Sequence, residues 1–114
     1  MTTCKLRFHT LALAEWQKLD GSVRTQFKKK LEERLITPRV PAAALSGMAD
    51  CYKIKLRAAG YRLVYRVDDG EVWVTVISIG LRERLQAYTR AQARLDDPLA
   101  RAADKVGVAV QRVA

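Results

Sequence analysis

The chain has 114 residues, 49% of them hydrophobic, which suits one compact domain with a core and excludes two ordinary domains. Its formal net charge of +9 favours a polyanionic partner such as RNA, DNA, an acidic membrane or an acidic protein. No run approaches the roughly 20 apolar residues of a membrane helix, and no secretory pattern opens the chain, so we expect a cytoplasmic protein without a membrane partner.

A short strand and a helical hairpin are predicted first. Alternation over residues 5–8 indicates the strand, and apolar residues at helical spacing over 12–19 indicate an amphipathic helix. The Asp-Gly-Ser break that follows separates it from a second helix, which either Asp20 or Ser22 can cap. The buried side of the second helix is expected at Val23, Phe27, Leu31 and Leu35.

Alternation with a period of two returns after the loop that follows the second helix. Strands are expected at 52–57 and 61–67, joined by a turn at 58–60. After a turn signal at 68–70, a continuous β-branched run over 72–79 indicates the most buried strand of the sheet. These three strands are expected to form a meander.

The C-terminal part is expected to be helical. A third helix is predicted from residue 82 to about residue 95, and its apolar side is expected at Leu81, Leu85, Tyr88 and Leu95. Pro98 suits the first turn of a further helix. The apolar stripe of that helix would comprise Leu99, Val106, Val110 and Val113.

These elements predict an α+β fold. It consists of an antiparallel sheet with an N-terminal strand, a helical hairpin, a three-stranded meander and one or more C-terminal helices. We expect one domain over residues 1–95 and a helical C-terminal extension over 96–114.

The first two strands of the meander predict a cationic face. Successive side chains on a strand point to opposite faces, so Lys53 and Lys55 share one face about 7 Å apart. Arg62 and Arg66 on the next strand have the same parity. Such a cluster repels itself and costs stability unless an anion binds there, which is consistent with a functional site. The alternative is a solvated sheet face whose lysines protect it from edge pairing.

Other candidate residues are less informative from their pattern. Arg82 suits phosphate, because the planar guanidinium donates two hydrogen bonds at fixed geometry, whereas the apolar stripe around Tyr88 favours a core or groove tyrosine. Cys4, Cys51 and the single His9 provide neither a disulfide scaffold nor zinc-ligand spacing. We therefore expect reduced cysteines, no metal and no cofactor.

Seven segments, in order and nearly without gaps over roughly residues 4–90, carry a resemblance to a known family. They are EWQKL at 15–19, KKKL at 28–31, LSGM at 45–48, DCYKIKLR at 50–57, GYRLVY at 60–65, VISIG at 76–80 and RER at 82–84. Together they resemble the RelE-type toxins of bacterial toxin–antitoxin pairs. A resemblance of this extent is more specific than any single motif.

The resemblance implies an mRNA interferase that enters the ribosomal A site and cuts the codon there, without a metal, by attack of an RNA 2′-hydroxyl on the adjacent phosphate. The functional positions of the family fall on Lys53, Lys55, Arg62, Arg82 and Tyr88. Two positions depart from the family pattern, with Ser46 in place of a basic residue and Leu81 in place of a lysine. We expect these departures to affect contact with RNA or the ribosome more than the chemistry.

Acid–base chemistry suggests a role for each of these side chains. Tyr88 is hypothesised to be the base or the group that orients the 2′-hydroxyl, because nearby cations favour a phenolate. Lys53 and Arg62 would hold the charged phosphate. The resemblance leaves Arg82 or Lys55 as the leaving-group acid. A guanidinium is effectively never deprotonated, so Lys55 is the better proton donor and Arg82 the better phosphate clamp.

The resemblance also implies partners. These are the ribosome with its mRNA and a cognate RelB-like antitoxin, whose acidic segment would wrap the basic face or displace the helix that carries Tyr88. The toxin–antitoxin complex is then a candidate ligand of operator DNA. Two alternatives stay open: a ParE-like toxin that shares the fold but poisons DNA gyrase, and a non-catalytic nucleic-acid-binding module. The set of five functional residues argues against the gyrase poison.

Overall fold

The elements follow the predicted α+β order. The computed structural model describes residues 4–68, 73–83, 85–96 and 109–110. Within them the elements are β1 (Lys5–Phe8), α1 (Thr10–Lys18), α2 (Gly21–Ile36), β2 (Cys51–Leu56), β3 (Tyr61–Asp68), β4 (Trp73–Leu81), α3 (Gln86–Asp96) and β5 (Ala109–Val110), with a short 3-10 turn at Pro41–Ala43. None of the helices in these ranges has the length and apolar character that crossing a membrane requires.

The sheet is mixed, which corrects the prediction that it is antiparallel throughout. Its strand order is β2–β3–β4–β1–β5, and the β2–β3–β4 meander is antiparallel as predicted. β1 runs parallel to β4, with Leu6 opposite Val74 and Phe8 opposite Val76. The helical hairpin is the reason, because it carries the chain from β1 over the sheet to the far edge before the meander begins. A parallel pair requires such a crossover.

The helical hairpin covers one face of the sheet and forms the main core. The predicted buried residues of α2, Val23, Phe27, Leu31 and Leu35, are all buried there. Trp16 of α1 lies between two other rings, with centroids 5.3 Å from Phe8 and 6.4 Å from Phe27. Asp20 rather than Ser22 caps α2, because its carboxylate accepts the Ser22 N–H at 3.1 Å.

A β-bulge in β4 lies on the opposite face of the sheet, where α3 packs. Val64 is paired with Ser78 but Tyr65 with Val76, so β4 has one extra residue at this point. As a result, both Ile77 and Ser78 meet α3: Ile77 packs in the cluster that contains Ala87, and the Ser78 hydroxyl donates to the Ala87 carbonyl at 2.5 Å. The bulge therefore presents two adjacent side chains to one helix.

α3 begins at Gln86, four residues after the predicted start at 82. The reason is the backbone of Leu85, whose φ of 51° lies in the left-handed region and cannot continue a right-handed helix. The Leu85 N–H donates to the Arg82 carbonyl at 3.1 Å and closes a turn instead. The chain therefore turns away from β4 before the helix starts.

The apolar side of α3 also differs from the prediction. Ala87 and Ala91 face the sheet and are buried, whereas Leu85, which precedes the helix, is 55% exposed. Tyr88 and Leu95 are partly buried and pack at the margin of the same cluster. The two alanines allow the helix backbone to approach the sheet closely.

The predicted C-terminal extension is described only at Ala109 and Val110. These residues form β5, antiparallel to β1, so the predicted helical stripe is wrong at Val110. Pairing with β1 supplies the backbone partners that a free sheet edge lacks. Several predicted positions lie outside the described residues. They are Pro98, the other stripe residues of the extension, residues 69–70 of the predicted turn and residue 72. The domain boundary at residue 95 stays a prediction.

Candidate active site

The hairpin of β2 and β3 brings the predicted cations onto one face. Lys53 and Lys55 alternate with the buried Ile54 and project on the face away from the helical hairpin. Lys55 lies directly opposite Arg62 in the ladder, and Lys53 lies opposite Val64. Because α3 covers only part of this face, all three cationic side chains remain partly exposed. The parity argument from the sequence is thus confirmed for these three residues.

Tyr88 reaches this face from α3 and contacts Arg62. The Arg62 Nη1 donates a hydrogen bond to the Tyr88 hydroxyl, and the guanidinium lies 5.4 Å from the centroid of the phenol ring. Both residues are partly buried. Among the described residues none accepts a hydrogen bond from the buried Arg62 Nε. Arg62 therefore links β3 to the Tyr88 phenol through Nη1, while its Nε–H makes no hydrogen bond within the described residues.

Arg82 comes to the site from the turn after β4. Its backbone N–H donates to the Gly60 carbonyl at 2.8 Å, which ties this turn to the β2–β3 turn. The exposed Arg82 lines a shallow polar pocket with Lys55, Arg57, Tyr61 and Arg62. The pocket walls carry four cations and one phenol, a composition suited to a phosphate.

The charges at the site act on one another most clearly at Lys55. Repulsion from the Lys53 ammonium is the largest cause that lowers the pKa of Lys55 from its usual value. The charge of Arg62 lowers it further, as do desolvation and the charges of Arg57 and Arg82. A lowered pKa makes the Lys55 ammonium a better proton donor at neutral pH.

All five predicted site residues thus belong to one connected surface. Lys55 senses the charges of Lys53, Arg62 and Arg82, and Arg62 holds Tyr88. Arg66, which shares the parity of Arg62, lies opposite Cys51 and pairs with Asp68 at 2.5 Å.

The pocket is also lined by two residues that the sequence prediction did not include in the site, Arg57 and Tyr61. Arg57 has the same strand parity as Lys53 and Lys55, and that parity was the signal available for it. Tyr61 is the first residue of β3, directly opposite Leu56, and had no such signal. In the described ranges no group of three His, Cys, Asp or Glu side chains is arranged to hold a metal ion.

Comparison with known proteins assigns the family. Residues 6–86 match the family model described as the ParE toxin of the parDE type II toxin–antitoxin system. The mRNA interferase toxin RelE of Escherichia coli K12 is 57% identical over 90 residues, which are 79% of this chain and 95% of that protein. This chain belongs to the RelE/ParE toxin family. The resemblance seen in the sequence segments is confirmed.

Solved structures of RelE toxins share the fold. The free state of a double arginine-to-alanine mutant of E. coli toxin RelE gives a TM-score of 0.76 at 52% identity, covering 82% of this chain and 99% of that one. RelE in the intact E. coli RelBE toxin–antitoxin complex gives 0.66 at 56% identity, covering 70% and 96%. The predicted α+β class is confirmed, and this RelE/ParE toxin has the same arrangement of sheet and helices.

Proposed function

We propose that this RelE/ParE toxin is an mRNA interferase, a metal-independent endoribonuclease that inhibits translation by cutting mRNA in the ribosomal A site. The observation that carries the proposal is the contact between Tyr88 and Arg62 beside Lys55 and Arg82, since it joins a phenol to a phosphate-binding surface. The 57% sequence identity with E. coli RelE, which is named an mRNA interferase toxin, supports the same activity here.

The cleavage step is an internal transesterification. The RNA 2′-oxygen attacks the adjacent phosphorus while the bond from phosphorus to the 5′-oxygen breaks, so the products are a 2′,3′-cyclic phosphate and a 5′-hydroxyl. Lys53 and Arg62 hold the non-bridging oxygens, whose negative charge grows in the transition state. Arg82 clamps the same phosphate from the turn after β4.

Two proton transfers accompany this step. Tyr88 accepts the proton of the 2′-hydroxyl, or orients that hydroxyl, from its place beside Arg62. Lys55 donates a proton to the departing 5′-oxygen, and its lowered pKa supports this role. A phenol and an ammonium are weak acid–base catalysts near pH 7. The ribosome is therefore proposed to hold the 2′-oxygen in line with the phosphorus, a contribution of several kcal/mol.

The proposed partners follow from this reaction and from charge. Ribosomes and mRNA place the activity in the cytoplasm. A host that makes the toxin requires a neutralising antitoxin, and an acidic RelB-like segment suits a chain of net charge +9. E. coli RelE is known in complex with its antitoxin RelB.

The direct test uses purified toxin and ribosomes programmed with a defined A-site codon. We expect cuts within that codon and 5′-hydroxyl ends that polynucleotide kinase can label. Lys53→Ala and Lys55→Ala should slow single-turnover cleavage by about 10²- to 10⁴-fold, whereas Lys29→Ala, an exposed control on α2, should not. Unchanged cleavage by Lys55→Ala with loss in Lys53→Ala would refute the role of Lys55. Equally fast cutting of naked RNA would refute ribosome dependence.

Gyrase poisoning is the second candidate, because the matching family model is described as a ParE toxin. A ParE-like toxin shares the fold but cuts no RNA, so it does not require the catalytic residues of a nuclease. Incubation of the toxin with DNA gyrase and supercoiled plasmid separates the two. Linear DNA trapped on gyrase, without cleavage of ribosome-bound mRNA, would establish the second candidate in place of the first.

A further inference from the structure

β4 extends beyond the end of its neighbour β1. The two strands pair only as far as Phe8 opposite Val76, after which the His9 N–H bonds to the Val76 carbonyl at 2.8 Å and the chain enters α1. In the part of the chain that the structure describes, no strand pairs with this edge past Val76. Ile77 and Ile79 are nonetheless buried, and buried backbone groups require hydrogen-bond partners.

Three side chains of α3 take the place of the missing strand. They are spaced four residues apart, so they project from one side of the helix. Each meets one step of the strand edge as α3 runs back along β4. The hydrogen bonds are Leu81 N–H to Gln86 Oε1 at 3.0 Å, Arg90 Nη1 to the Ile79 carbonyl at 2.6 Å, and Arg94 Nη1 to the Ile77 carbonyl at 2.6 Å.

Gln86, Arg90 and Arg94 form what we call the side-chain ladder, and Glu15 of α1 completes it. Its Oε1 accepts the Ile79 N–H at 3.0 Å, and its two oxygens accept Arg94 Nη1 at 3.0 Å and Nη2 at 2.6 Å. Arg90 Nη1 lies 3.2 Å from Glu15 Oε2. The Glu15 and Arg94 side chains are only 18% and 10% exposed. One carboxylate thus pairs with two arginines and holds the fork of Arg94 at fixed geometry.

The ladder is one of the contacts that hold α3 on the sheet. The sheet-facing residues of this helix are the small Ala87 and Ala91, and the Ser78 hydroxyl also holds it at the Ala87 carbonyl. The ladder lies on one flank of the helix, and Tyr88 lies on the other flank against Arg62. Any roll of α3 about its axis therefore moves the phenol relative to the β2–β3 cations.

We infer that Glu15, through the ladder of Gln86, Arg90 and Arg94, is a positioning residue that holds the Tyr88 phenol at Arg62 for RNA cleavage. This inference rests on the proposed function for its catalytic part. Its structural part, that Glu15 anchors α3, stands on the hydrogen bonds alone.

The anchor is tested by amide hydrogen exchange on the free toxin. Glu15→Gln keeps an acceptor for the Ile79 N–H but removes the charge that holds both arginines. Glu32→Gln on the exposed side of α2 makes the same change of charge and is the matched control. We expect at least about tenfold faster exchange over 86–96 in Glu15→Gln, with exchange over 51–68 unchanged, and no change in the control. Exchange in α3 that stays at the wild-type rate would overturn the inference.

The positioning role is tested by a double-mutant cycle on programmed ribosomes. Glu15→Gln should slow single-turnover cleavage at saturating toxin by about tenfold to 10²-fold, since a misplacement near 1 Å has effects of this size. In a Tyr88→Phe background the same change should have almost no further effect. Full additivity in that background would overturn the positioning role.

A milder variant guards against loss of folding. Arg94→Lys keeps the charge but not the fork, and we expect intermediate exchange in α3 and an intermediate cleavage rate. Wild-type exchange and cleavage in this variant would count against the ladder. If wild-type toxin cuts no RNA, the proposed function fails while the exchange measurements still decide whether Glu15 anchors α3.

Discussion

Lys55 shows how a surface residue acquires chemistry from its neighbours. It lies on the edge strand β2 with Lys53 two residues away and Arg62 opposite. The Lys53 charge, then that of Arg62, lowers its pKa because each added cation opposes protonation. This repulsion stabilises nothing in the free toxin. It becomes useful when a phosphate binds, since an anion attracts every member of the cluster.

The pH dependence of cleavage should report Lys55. A proton donor is active while protonated, so activity should be lost as pH rises through its pKa. Lys53→Gln removes the main cause that lowers this pKa, and the basic limb of the kcat/KM profile should therefore move to higher pH. Arg57→Gln removes a smaller cause and should move the limb less. The measurement is single-turnover cleavage at subsaturating toxin across the pH range in which ribosomes stay intact, and a limb that moves to lower pH would contradict the assignment.

Cys51 is the opposite case, in which burial makes a group inert. Desolvation is the main cause that raises the pKa of the buried thiol to about 11. At pH 7 about one thiol in 10⁴ would then be ionised, and the thiolate is the reactive form. We expect a thiol-specific reagent to label Cys51 in the native toxin at least about 10²-fold more slowly than in urea. Peptide mapping would identify the site, and fast native labelling of Cys51 would contradict this burial.

At the scale of elements, the approach of α3 to β4 depends on one glycine. A Cβ at Gly80 would overlap the Gln86 Cβ and lie 2.8 Å from the Ala87 backbone nitrogen. Real Cβ atoms do not approach backbone so closely, so the start of α3 would have to move. Since Gln86 begins the side-chain ladder, this movement would propagate along the helix that carries Tyr88.

Gly80→Ala should therefore lower both stability and activity. We expect a loss of about 1–3 kcal/mol in the free energy of unfolding, the usual cost of overpacking, together with slower cleavage by the folded fraction. Urea denaturation and single-turnover cleavage measure the two effects. Gly21→Ala is the control, because a Cβ there would meet only the flexible end of Arg24 at 3.9 Å and alanine favours the helix. Equal behaviour of the two variants would contradict the close-approach argument.

At the scale of the whole molecule, the charge of +9 should dominate association with the ribosome. Cations that neutralise phosphates release counterions, so binding weakens as salt rises. We expect kcat/KM to fall at least about tenfold between 50 and 200 mM monovalent salt at constant Mg²⁺, with little change in the rate at saturating toxin. A rate at saturation that falls as steeply as kcat/KM would show that salt acts on the chemistry instead.

The sequence by itself predicted the features that depend on near neighbours. Helical spacing identified the buried side of α2, and strand parity placed Lys53, Lys55 and Arg62 on one face, because a side chain's direction repeats every 3.6 or 2 residues. Similarity in segment order identified the family.

The tertiary structure decided what depends on distant residues. Nothing near residues 5–8 specifies that β1 pairs parallel to β4, and the start of α3 depends on where β4 ends. Glu15 belongs to a segment that carries the family resemblance, but no pattern gave it a role, because its partners lie 64 residues away at Ile79 and 79 residues away at Arg94. Buried backbone groups at a strand edge must form hydrogen bonds with whichever side chains the fold brings there. Periodicity along the chain does not predict which side chains these are.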